Sequence, residues 1–115
     1  MAAKRPNVLF IFTDDQRPDA FSALGNPDIK TPNMDRIINS GFVFNQAYIQ
    51  GSMTNATCLP SRAMIMSGKP LFRAPLQLDS GVLMPQVFQK AGYQTFATGK
   101  WHNGASSFEK CFNEA

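Results

Sequence analysis

The chain has 115 residues, 43% of them hydrophobic and 17% charged, with a formal net charge of +3. That balance is globular and excludes a disordered polyelectrolyte. The 11 basic residues are scattered, with no basic stripe interleaved by aromatics, which argues against a nucleic-acid partner, and no apolar run approaches the length that crosses a bilayer, which argues against a membrane one.

In chain order, the leader up to Pro6 has no signal-peptide hydrophobic region, so with Met1 as the true start the expected location is cytoplasmic. Residues 8–12 (VLFIF) form a continuous apolar run between Pro6 and Thr13, the pattern of a strand buried on both faces. Asp14 and Asp15 follow at its carboxyl end, where open α/β sheets place their ligands. Residues 18–24 suit a short helix stopped by Gly25-Asn26-Pro27. Thr31 then reads as an N-cap with Pro32 at the first helical position, Met34, Ile37 and Ile38 at helical spacing and Gly41 as the stop. Residues 42–49, with Phe42, Phe44 and Tyr48, read as a strand, and a small polar loop delivers Cys58.

Pro60 has no N–H and a fixed φ, so it belongs in the first turn of a helix, predicted over about 60–67 and ended by Gly68. Residues 69–79 carry two prolines and are expected to wander. Ser80 can cap a helix carrying Val82, Leu83, Val87 and Phe88, closed by Gly92. Residues 93–98 alternate as a strand that delivers Lys100 to His102. This order of strands and helices predicts an α/β fold, a mostly parallel sheet flanked by helices. Each chemical motif falls at a strand's carboxyl end or a helix's amino end.

Cys58 at the start of a helix meets unpaired amides and the positive dipole end, which favour a thiolate or a bound anion. Arg62, four residues on, shares its face, and a guanidinium suits bidentate oxyanion contacts. Adjacent carboxylates at Asp14 and Asp15 need a compensating cation, and their hard oxygens suit Ca²⁺ or Mg²⁺. Lys100 and His102, two apart, share one face of an extended backbone. Lys100 can offset anionic charge and His102 can move a proton near neutral pH. Taken singly, each has a simpler reading: a capping aspartate, a small buried cysteine, a surface ion pair, a solvated lysine and a surface histidine. A Cys58–Cys111 disulfide is not expected without a secretory context.

Cys58-Leu59-Pro60-Ser61-Arg62 resembles the Cys-x-Pro-x-Arg signature of the type I sulfatases. Residues 6–16 (PNVLFIFTDDQ) resemble that family's opening strand, and Gly99-Lys100-Trp101-His102-Asn103-Gly104 its Gly-Lys-Trp-His element. The resemblance implies an alkaline-phosphatase-like α/β fold, of which residues 1–115 are the N-terminal, incomplete part. It implies hydrolysis of sulfate monoesters, small-molecule or saccharide, through a formylglycine that a separate maturation enzyme makes from Cys58. One hydroxyl of the hydrated aldehyde attacks sulfur, and the other loses its proton to expel sulfate.

It further implies one divalent cation, Ca²⁺ ahead of Mg²⁺, held by Asp14, Asp15 and the modified Cys58. Arg62, Lys100 and His102 then surround the sulfate, Lys100 touching it and His102 hydrogen-bonding the hydrate. Trp101 packs the element, and Thr57, Ser61 and Asn103 are candidate supporting groups. A phosphonate or phosphate monoester hydrolase of the same superfamily is the alternative, since it can share the motif. The family often works in periplasmic or secreted compartments. Its remaining metal ligands and its later histidine and lysine have no counterpart here, so the chain by itself is expected to be a non-catalytic fragment.

Overall fold

The computed structural model describes residues 5–51 and 57–113. Within them lie four α-helices: α1 (Pro32–Ser40), α2 (Cys58–Ser67), α3 (Met84–Lys90) and α4 (Ala105–Cys111). Two 3₁₀ turns, Ser22–Leu24 and Leu71–Arg73, add to these. The backbone divides into two compact units, Met1–Tyr48 and Ile49–Ala115. Among the described residues no helix is long and apolar enough to cross a membrane.

In the first unit α1 starts as its sequence predicts, with Thr31 before Pro32, but the Thr31 hydroxyl does not cap the backbone. It donates to Asp35 Oδ1 at 2.7 Å, while Ser22 Oγ donates to Asp35 Oδ2 and the Ala23 N–H to Asp35 Oδ1 at 3.0 Å. Thr31 Oγ1 also accepts from the Ser22 N–H at 3.0 Å, so one carboxylate and one hydroxyl lock the 3₁₀ turn onto the start of α1. The Ser22 hydroxyl, then that of Thr31, hold the Asp35 carboxyl below its ordinary pKa. A depressed pKa means a contribution present above the unfolded value and lost as pH falls through the folded one. The Ala23 amide resonance should therefore titrate in acid, below the ordinary carboxylate range of about 4. In Asp35→Asn that titration should disappear; a persistent one would assign it to another carboxyl.

The second unit holds the core. Ala63 and Met66 on α2, Leu78 in the following loop, Leu83 at the entry to α3 and Cys111 at the end of α4 are buried together. Ile65, Ala74, Met84, Trp101 and Phe112 pack against them. α2 begins at Cys58, two residues ahead of Pro60, and ends as predicted at Gly68, whose φ of +66° lets its N–H reach Met64 O at 2.8 Å. α3 starts later than predicted: Ser80 does not cap it, and the Leu83 N–H is satisfied by Gln86 Oε1 at 2.9 Å. α4 was not predicted. Its N-cap is Gly104 with no side-chain bond, and only its Phe108–Phe112 spacing hints at a helix.

The sheet is where the structure departs most from expectation. Residues 8–12, 42–49 and 93–98 form no strand, and Phe96 alone makes an isolated bridge. Leu9, Phe42, Phe44, Tyr48 and Ile49 are each at least 80% exposed. A strand closes its hydrogen bonds only on a neighbour, and among the described residues the pairing goes no further than that bridge and the Asn113 N–H donating to Thr95 O at 2.9 Å. Thr95 bonds to the end of α4 and the residues just after it: its hydroxyl donates to Cys111 O at 2.8 Å, and its N–H donates to Asn113 Oδ1 at 2.8 Å.

Candidate active site

α2 presents Cys58 at its first position, half-buried, and Pro60 at the third, where its missing N–H costs nothing. The Ser61 N–H closes the first turn on Thr57 O at 3.0 Å, and the Ser61 hydroxyl reaches the same carbonyl at 2.6 Å. The amides of Cys58 and Leu59 lie at the open end of the helix. Ser61 thus supports the turn rather than facing a ligand.

Arg62 is buried to 7% exposure, and its Nη1 donates to the carbonyl of Lys100 at 2.5 Å. The guanidinium therefore straps the Cys58 helix to the loop that carries Lys100 and His102. Asn103 makes a second tie, its Nδ2 donating to Leu59 O at 3.1 Å and to Leu76 O at 2.8 Å. Two motifs separated by about forty residues of sequence are in this way held side by side by their own side chains.

The loop is not a simple extended segment. His102 has φ +78°, so the alternation that would place it and Lys100 on one face is broken. Both side chains are exposed. Trp101 packs the element, as its sequence suggests: Nε1 donates to Ser107 Oγ at 2.9 Å, and the ring sits edge-on to Phe108 and Phe112 at centroid distances of 5.6 and 5.5 Å. Gly99, Trp101, His102, Gly104, Ala105 and Phe108 line an open cleft of about 410 Å³. Cys58, Arg62 and Lys100 are not part of its lining.

The family model for sulfatases matches residues 6–113, nearly the whole chain. The chain belongs to the sulfatase family. It is 41% identical over 105 residues to an N-acetylglucosamine-6-O-sulfatase of Bacteroides thetaiotaomicron, an alignment covering 86% of this chain and 18% of that protein. It is 34% identical to arylsulfatase A of Bos taurus, over 90% of this chain and 22% of the relative. It is 30% identical to an N-acetylgalactosamine-6-sulfatase of Homo sapiens, over 90% of this chain and 23% of the relative. The chain thus spans about a fifth of the length of these relatives. No solved structure matches it.

In this sulfatase-family chain Asp14 and Asp15 belong to the first unit, and Cys58, Arg62, Lys100 and His102 to the second. Both aspartates are exposed, and Asp15 has φ +52°, a left-handed backbone that aspartate tolerates better than most residues. Asp15 and His102 are the two non-glycine residues at positive φ among those described. Such outliers concentrate at functional sites, and both stand in positions that the sequence motifs had singled out. Among the described residues no group of three or more His, Cys, Asp and Glu could hold a metal ion. Two carboxylates supply hard oxygen ligands of the right chemistry for Ca²⁺, though fewer than the six to eight that ion takes.

Cys58 and Cys111 are both free thiols. Burial pushes the Cys111 thiol up to about 11, against a smaller opposing pull from Lys110. Sequence reasoning missed Ser107 altogether and gave Asn103 only a supporting part; neither residue type at these positions carries a signal that survives without the tertiary contact.

Proposed function

We propose that the chain is the N-terminal part of a sulfatase catalytic domain that hydrolyses sulfate monoesters to an alcohol or phenol plus sulfate. The observation that carries the reading is the strap from Arg62 to the Lys100 carbonyl, which puts the Cys-x-Pro-x-Arg turn against the Gly-Lys-Trp-His loop in a member of this family. Residues 8–12, 42–49 and 93–98 would be strands of an alkaline-phosphatase-like sheet once partnered, which accounts for their exposed apolar side chains.

In this reading Cys58 is the nucleophile precursor. Its conversion by a maturation enzyme to formylglycine would supply, as the aldehyde hydrate, a hydroxyl that attacks sulfur and a second whose deprotonation releases sulfate. The open end of α2 directs amides and a positive dipole at the anionic ester. The Lys100 ammonium would offset the sulfate charge, and the His102 imidazole would accept or return a proton. Arg62 sets the distance between the two motifs through Lys100 O. Asp14 and Asp15 would hold a divalent cation of the Ca²⁺ type, whose charge would help bind the ester.

The relatives' names favour a sulfated saccharide or aryl ester over a phosphonate or phosphate one. Expressed with a formylglycine-generating enzyme, the protein carrying this segment should yield a Cys58 peptide in which the thiol is replaced by an aldehyde. It should also cleave an aryl sulfate faster than the matched aryl phosphonate. A Cys58 peptide found only as thiol, or a reversed rate order, would sink the reading.

A further inference from the structure

We infer that Asn103 is a positioning residue: it locks the backbone of His102 to the turn that carries Cys58. His102 occupies a left-handed backbone at φ +78°, which a non-glycine residue keeps only when its surroundings over-determine it. Its flanks are pinned from both sides. On one side, two residues before His102, the Lys100 carbonyl accepts from Arg62 Nη1. On the other side Asn103 donates to Leu59 O and Leu76 O. Leu59 and Arg62 are three residues apart on α2, hence neighbours on one helix face, and Leu59 adjoins Cys58.

The carboxamide is fully buried and both of its Nδ2 protons are used, while its Oδ1 has no hydrogen-bond partner among the described residues. An apolar side chain would fill the same volume without an orphaned acceptor. What the carboxamide adds is the pair of donors, and they bridge two backbone segments that no secondary structure joins. The main chain of Asn103 is held as well: its carbonyl accepts from the Leu78 N–H at 3.4 Å and from the Ser107 hydroxyl at 2.8 Å. With side chain and carbonyl both engaged, the residue after His102 is fixed to α2, to the loop through Leu76 and to the start of α4.

That Cys58 and His102 serve sulfate-ester hydrolysis rests on the function proposed above; their mechanical coupling does not, and its test reads no turnover. The chain has one histidine and one tryptophan, so the His102 ring signals in an NMR spectrum are unambiguous. In the unaltered chain the Asn103 side-chain amide protons should exchange far more slowly than those of the exposed Asn33. Asn103→Asp keeps the shape and removes both donors; Asn103→Ala removes them without adding charge. Each should shift or broaden the His102 signals and raise the rate of Cys58 alkylation by iodoacetamide by about tenfold, the scale expected for losing two buried hydrogen bonds. Peptide mapping separates Cys58 from the buried Cys111. Met84→Ala, on α3 and part of neither anchor, should leave both readouts near their starting values. The inference is overturned if the Asn103 amide exchanges as fast as that of Asn33, which decides the matter even where the variants fail to fold. It is equally overturned if His102 and Cys58 are unmoved by both substitutions, or are moved as much by Met84→Ala. A coupling confirmed alongside an absence of sulfatase activity would leave this inference standing and remove the functional reading alone.

Discussion

Cys58→Ala in the protein carrying this segment should abolish sulfate-ester turnover, with kcat falling by about 10⁴-fold or more, as when a covalent nucleophile is removed from other hydrolases. The size follows from the role proposed for Cys58: a methyl group could supply neither the hydroxyl proposed to attack sulfur nor the one proposed to lose its proton as sulfate leaves. Stability should hardly change. Cys58 stands at the first position of α2, half-buried and outside the core, and alanine is the better helix former. A shift under about 0.5 kcal/mol is expected for such a site. Loss of activity with an unchanged melting curve therefore isolates the chemical role, and a variant that kept a tenth of the activity would move the nucleophile elsewhere.

The parts of the fold legible from sequence were those written in local punctuation. Thr31-Pro32 with Gly41, and Pro60 with Gly68, bracket α1 and α2 to within two residues because caps and proline act on their own turn. The apolar runs at 8–12 and 42–49 signalled burial, but strand pairing is a long-range property that a run cannot bring about alone. α4 escaped because it is seven residues long and starts at a glycine with φ +93°, so it has neither a side-chain cap nor the length for a clear period.

At the site, the sequence singles out residues whose contacts it does not foretell. Arg62 reads naturally as an oxyanion ligand, yet its Nη1 goes to the backbone of a residue 38 positions away. Asn103 reads as a supporting polar group, and the carbonyl that gives it a purpose is 44 positions away. The positive φ of His102 is not legible either, since histidine tolerates that backbone without requiring it.

Leu83→Ala should lower the stability of the second unit by about 2–5 kcal/mol, the usual cost of emptying a filled leucine site. Leu83 is 2% exposed, and its apolar partners in the buried cluster are Ala63, Met66, Leu78 and Cys111, so the side chain is a large share of a small core. Backbone rearrangement offers little relief. The Leu83 N–H is tied to Gln86 Oε1, and its carbonyl accepts the Val87 N–H at 3.2 Å, which fixes the entry to α3. Trp101 packs on the same cluster and is the one tryptophan in the chain, so its emission reports this unit directly. For a domain of this size the Trp101 transition should fall by roughly 10 °C or more. Leu83→Met, which nearly conserves volume, should cost less than about 1.5 kcal/mol. Equal shifts for the two substitutions would mean that the site is not packed, and with it would go the rigid platform on which α2 holds Cys58 against the histidine loop.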